Sequence, residues 1–174
     1  MIRKAAETDI DAVDAIYDEI HRAEEEGLLS VGWIRDIYPV RKTAEDAVRR
    51  NDLFVLEEDG RIVGAGIINQ IQMPEYRTAP WDHQVPDDRV CVLHTLVITP
   101  QAGGKGLGKQ FIRYYEAYAK DNNCHELRID TNERNLTARM MYRKLGYKET
   151  AIVPTVFNGI PDVNLVLLEK WLGD

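Results

Sequence analysis

The chain has 174 residues, 44% of them apolar and 29% charged, with a net charge of −7. That length supports a sizeable core, read as one domain over 1–174, and the acidity without a basic cluster excludes a nucleic-acid surface. No apolar run approaches the ~20 residues of a membrane span, and the opening MIRKAAETDID does not read as a signal peptide.

Met1–Ala5 reads as a short first strand. Thr8 caps a helix to Glu26, with Ile10, Val13, Ile16, Ile20 and Ala23 at helical spacing and Gly27 as its stop. The Gly32–Pro39 connector is rich in aromatics, and Thr43 caps a second helix to about Arg50. Leu53–Glu58 and Arg61–Ile68 are strands joined at Asp59-Gly60, a hairpin signature. Gly64 and Gly66 in the second of them mark a bulge or a close backbone approach. Asn69–Asp88, punctuated by Pro74, Pro80 and Pro86, is a loop long enough to suggest function.

Val90–Ile98, VCVLHTLVI, is a buried strand ended by the Pro100 region. Gly103, Gly104, Gly106 and Gly108 follow within six residues, and Lys109–Lys120 continues as an amphipathic helix. Strand, glycine loop and helix start aim bare N–H groups and the positive end of a helix dipole at one point, which suits a phosphate or diphosphate. The dinucleotide pattern GxGxxG fails because Gly108 lies two residues after Gly106. The P-loop pattern GxxxxGK[ST] holds through Lys109, but Gln110 replaces the magnesium-binding hydroxyl.

Glu126–Asp130 is the next strand, followed by a helix over Arg134–Leu145 that Gly146 stops. Tyr147–Val153 and Val163–Leu168 close the sheet as a pair linked by Pro154–Asp162. Cys91 and Cys124 lack metal-type spacing to each other or to histidine, so no metal site is expected. Two buried thiols in a reducing cytoplasm are expected instead.

The run Leu96-Val97-Ile98-Thr99-Pro100-Gln101-Ala102-Gly103-Gly104-Lys105-Gly106-Leu107-Gly108 resembles the acetyl-CoA loop of the GNAT superfamily of N-acyltransferases. In the proline-anchored register Gly103 stands where that family usually has Arg or Gln. Asn135-Leu136-Thr137-Ala138-Arg139-Met140-Met141-Tyr142-Arg143-Lys144-Leu145-Gly146-Tyr147 is similar to the family helix N-x-x-A-x-x-x-Y-x-x-x-G-[FY]. The resemblance covers essentially the whole chain. It implies an α/β (α+β) fold with a mixed, mostly antiparallel central sheet and helices on both faces.

It also implies an N-acetyltransferase that moves an acetyl group from acetyl-CoA to a primary amine by direct attack. By position, Leu96, Val97 and Ile98 hold the pantetheine arm. Gly103, Gly104, Lys105, Gly106, Leu107, Gly108 and Lys109 cradle the diphosphate, and Asn135 and Ala138 lie against the cofactor. Tyr142 stands at the general acid to the leaving thiolate, a transfer that suits a phenol and a thiol of comparable pKa; the alternative is a core tyrosine. His94 falls where many family members carry a glutamate and some arylalkylamine acetyltransferases a histidine, which makes it a candidate general base. Its alternative is a histidine held on the strand by a neighbour.

The family's acceptor cleft places its walls at Trp33 and Tyr38 in the connector and at Phe157 before the last strand. Tyr76, Trp81 and His83 from the long loop are added as aromatic contacts to an amine, or as plugs of a core. The acceptor is a small-molecule amine or the amine of a peptide or protein. An acyl-CoA-binding sensor without turnover and a P-loop-like nucleotide-binding protein are the other readings, and the sequence shows no clear dimer signal, leaving a homodimer open.

Overall fold

The computed structural model describes residues 1–173. Strands β1 (Ile2–Lys4), β2 (Leu53–Glu58), β3 (Arg61–Asn69), β4 (Val90–Ile98), β5 (Glu126–Asn132), β6 (Lys148–Phe157) and β7 (Ile160–Trp171) form one sheet in the order β1-β2-β3-β4-β5-β7-β6. All neighbours are antiparallel except β4 and β5. Helices α1 (Ile10–Glu25) and α2 (Arg41–Arg49) precede β2, while α3 (Leu107–Asp121) and α4 (Leu136–Lys144) flank β5 in the chain. This is the mixed, mostly antiparallel arrangement that the sequence implied.

The two sheet faces are covered differently. On one, Phe111, Ile112 and Tyr115 of α3 and Tyr142 of α4 pack on Leu93, Leu127 and Ile129. On the other, Val13, Ile16 and Tyr17 of α1 and Ala44 and Ala47 of α2 cover only the β2–β4 half. Among the described residues no α-helix contributes to the cluster on the β5–β7 half of that face. There Tyr76 and Trp81 of the loop between β3 and β4 pack on Val90, Val92, Leu165 and Leu167. The long loop is therefore a structural cover, tied down by short 3-10 turns at Pro74–Thr78 and Asp87–Arg89.

Local signals shift in three places. The α1 start is closed by Asp9 rather than Thr8: its Oδ2 accepts the Ala6 N–H at 2.8 Å. Its two oxygens also take the Arg3 guanidinium at 2.8 and 3.0 Å, and the Asp9 carboxyl is held below its ordinary value chiefly by that contact. At α2, Thr43 acts from inside the first turn, its Oγ1 accepting the Val40 N–H at 3.1 Å. The last hairpin is longer than the sequence suggested, because Pro154–Asp162 is not a linker. Asn158 and Gly159, both at positive φ (47° and 88°), make the tight turn, and pairing runs through Pro154↔Asn164. Proline is tolerated there because β6 is an edge strand.

Gly66 marks a close approach. A Cβ at this position would lie 2.8 Å from Phe111 Cε1, so the bare backbone lets α3 settle onto the sheet. Gly66→Ala should therefore destabilise the fold by about 1–3 kcal/mol through overpacking. Thermal unfolding checks this: a Tm several degrees lower is expected, and a Tm equal to wild type contradicts the contact.

Candidate active site

β4 and β5 pair only from Val90↔Glu126 to Leu93↔Ile129. Beyond that, β4 follows β3 to Gly64↔Ile98, and β5 follows β7 to Asn132↔Leu165. The facing edges of 94–98 and 130–132 are left without a sheet partner. The cause lies in the β3–β4 register, which passes from Ile67↔His94 to Ala65↔Val97, so β4 carries one extra residue. Thr95 takes the strained turn of this bulge at φ 51°, unusual for a β-branched residue, and its Oγ1 is hydrogen-bonded to the Tyr38 hydroxyl.

A cleft of about 440 Å³ opens where the strands part. Leu96, Val97, Ile98, Gly108, Asn135, Ala138, Met141 and Tyr142 line one end, and Trp33, Tyr38, Met73, Phe157 and Asn158 the other, with His94 and Asp130 also in the wall. The expected cofactor residues of β4 and α4 and the expected aromatic walls Trp33, Tyr38 and Phe157 thus come together. Tyr38 makes edge contacts with Trp33 and Phe157 at centroid distances of 5.9 and 5.5 Å, forming an aromatic corner.

The glycine loop lies at the α4 end. Gly104 (φ 81°) and Gly106 (φ 78°) are left-handed, and open space lies where their Cβ atoms would be, so a ligand has access to the bare backbone. Gln110 is the residue whose N–H reaches back to Gly106 O, at 3.0 Å. Leu107, Gly108 and Lys109 ahead of it present the free N–H groups of a helix start. Lys105 is half committed to Glu58 at 3.7 Å. Asn135 has a local task as well: its Oδ1 accepts the Ala138 N–H at 3.1 Å and caps α4.

The titratable groups of the cleft are shifted by burial. Tyr142 is 5% exposed, and burial, with Asp130 nearby, pushes its phenol above the ordinary value. The phenol therefore stays protonated through the neutral range. His94 is pushed down to about 4 by burial, against a backbone hydrogen bond with Ile71. Its Nε2 lies 3.0 Å from Asn69 Oδ1, while the Asn69 amide donates to Asp52 Oδ2 at 2.9 Å. The imidazole is thus neutral and tethered, not the near-neutral titrating group the sequence suggested. Burial raises Asp130 to about 6, although its Oδ2 accepts the Tyr76 hydroxyl at 2.7 Å.

Three expected acceptor contacts lie elsewhere. Tyr76 is buried behind Asp130, Trp81 packs under Arg128, and His83 stacks on Trp171. None of the three lines the cleft. Asp130 is the cleft residue the sequence reading passed over. A signal was present: Glu126, Arg128 and Asp130 put charge at every second position, alternating with the apolar Leu127 and Ile129.

An acetyltransferase (GNAT) family model matches residues 13–147. An uncharacterized N-acetyltransferase of Methanocaldococcus jannaschii is 24% identical over 171 residues, 98% of this chain and 92% of its own. A GNAT-family acetyltransferase of Streptococcus agalactiae superposes with a TM-score of 0.82 at 25% identity, covering 100% of this chain and 96% of its own. A Salmonella typhimurium protein solved with its cofactor acetyl-CoA has the same fold, with a TM-score of 0.70 at 17% identity over 100% and 94% of the two chains. The residues here fit that co-substrate. The unpaired edge of 94–98 offers backbone partners to an extended amide chain, and the open glycine backbone with the α3 start offers donors to a diphosphate.

Asp130 sets a stability test. Its folded-state pKa of about 6 lies above the ordinary 3.8, so stability is lost as pH rises between those values and stays lower above them. Asp130→Asn should raise Tm near pH 7.5 and lose that advantage near pH 4, read by thermal unfolding at both. A variant less stable than wild type near pH 7.5 contradicts the raised pKa.

Proposed function

The chain belongs to the acetyltransferase (GNAT) family, and on that premise we propose that it acetylates a primary amine whose ammonium is received by Asp130 in the aromatic end of the cleft. The observation that carries this reading is a half-buried carboxyl group in the wall of a cleft that Trp33, Tyr38 and Phe157 also line. Ring faces and an ionised carboxylate both favour a cation over a neutral acceptor.

The co-substrate acetyl-CoA supplies the acetyl group as a thioester. Leu96, Val97 and Ile98 would hold its pantetheine arm through their backbone, and the N–H groups of Gly104 to Lys109, with Lys109 adding charge, would hold its diphosphate. Gly103, Asn135 and Ala138 shape the loop and the α4 start rather than supplying charge. Asp130 and Tyr142 both line the cleft, where the amine would meet the thioester.

Two groups compete for the ammonium proton. A carboxylate near 6 is a stronger base than an imidazole near 4. Asp130 therefore takes the proton, while His94, tied to Asn69, acts as a neutral hydrogen-bonding wall. Tyr142, protonated at working pH, gives its phenolic proton to the leaving sulfur.

Steady-state kinetics on an amine panel tests these roles. Tyr142→Phe should lower kcat by about 10²–10⁴-fold with KM for acetyl-CoA little changed. Asp130→Asn should raise KM for the amine and abolish the rise of kcat/KM through pH 6, whereas His94→Gln should stay within about tenfold of wild type. Full activity of Asp130→Asn, or a larger loss in His94→Gln, overturns the assignment of the base.

A further inference from the structure

The loop covering the β5–β7 half of the sheet is fastened to β5 rung by rung. Tyr76 donates to Asp130 at 2.7 Å. Arg128 sits 4.2 Å from the centre of the Trp81 ring and donates to His83 O at 3.2 Å. The last rung brings His83 to Glu126, and it does not close. His83 Nδ1 and Glu126 Oε2 lie 3.9 Å apart, too far for a hydrogen bond, and both atoms are buried without a hydrogen-bond partner among the described residues. Glu126 is 0% exposed.

A third group faces the same gap. Glu169 of β7, 3% exposed, lies beside Glu126, and one ligand atom from each of His83, Glu126 and Glu169 falls within 4.8 Å of the other two. The Glu169 carboxylate is already oriented by the Asp82 N–H at 3.0 and 3.1 Å and by the Thr150 hydroxyl at 2.8 Å. Such outer hydrogen bonds are what hold a ligating carboxylate in place.

A buried acceptor facing a buried imidazole nitrogen across a gap leaves both desolvated and unmet. One ion closes that gap, since two atoms 3.9 Å apart are both within reach of bonds of about 2.0–2.2 Å. The donor set suits a cation: two carboxyl groups and an imidazole face the gap against one guanidinium, Arg128, whose Nε lies 3.2 Å from Glu126 Oε1. The imidazole selects against magnesium and calcium, which prefer oxygen alone.

We propose that His83, Glu126 and Glu169 form a binding site for a divalent transition-metal ion of the zinc class, which clasps the 70–89 loop onto β5. The site stands at the opposite end of the β5 charged face from Asp130, about 13 Å along the strand. It is independent of the acetyl-transfer roles above, and its test reads binding rather than turnover.

The experiment is calorimetric titration of chelator-stripped protein with Zn²⁺, with Mg²⁺ and Ca²⁺ as comparators. Visible absorption of the Co²⁺-loaded protein and hydrogen exchange over 70–89 complete it. One Zn²⁺ per chain at micromolar affinity or better is expected, with no Mg²⁺ or Ca²⁺ response and slowed exchange in the loop. His83→Gln, on the partly exposed loop, and Glu126→Gln should each weaken Zn²⁺ binding at least tenfold, while His125→Gln should bind like wild type. Absence of Zn²⁺ binding, unchanged affinity in His83→Gln, or binding that leaves loop exchange unaltered would overturn the proposal.

Discussion

A single extra residue in β4 governs most of what this protein can do. Up to Leu93 the strand is an ordinary partner of β5; past it, the bulge at Thr95 keeps β4 on β3 and turns its other edge into the cleft. Each unpaired N–H and C=O there is a group that folding has left for a ligand to satisfy, because buried backbone groups are costly to leave unmet. The left-handed Thr95 is a second cost, and the Tyr38 hydroxyl that meets its side chain joins that strained turn to the aromatic corner. Backbone strain, the open edge of β4 and the aromatic corner of the cleft are linked through one register shift.

Electrostatics follow from the asymmetry of the two faces. The α3 and α4 face is covered mostly by apolar side chains, with the Lys170–Glu116 pair at 2.9 Å near its edge, whereas the loop-covered half buries Glu126, Arg128 and Glu169 and half-buries Asp130. Burial pushes the Asp130 carboxyl up to about 6. Under the proposed role of Asp130, an arriving ammonium would relieve that penalty. The same desolvation acts in the other direction on His94, which loses basicity.

Much of this was legible in the chain because it depends on local rules. Pro100, the glycines from Gly103 to Gly108 and the capped helix beginning at Asn135 each carry their meaning in spacing, and the element order follows from periodicity. The last hairpin was misjudged because Pro154 looks like a breaker until β6 is known to be an edge strand, and Asn158-Gly159 is the turn that settles it. The roles of Tyr76, Trp81 and His83 were not readable, since aromatics in a loop look alike whether they face a cleft or a sheet. Asp130 needed the knowledge that β4 and β5 separate one residue earlier, at Leu93 and Ile129, which no local pattern encodes. His83, Glu126 and Glu169 come from three distant segments and have no spacing to recognise.

The most direct test of the account is residue-resolved hydrogen exchange with and without acetyl-CoA. If the parted edge of β4 and the glycine loop hold the co-substrate, binding should slow exchange across 94–98 and 104–109 and leave the already paired 90–93 segment unchanged. Protection confined to other segments, or none at saturating acetyl-CoA, would contradict the claim that the break between β4 and β5 is the cofactor groove.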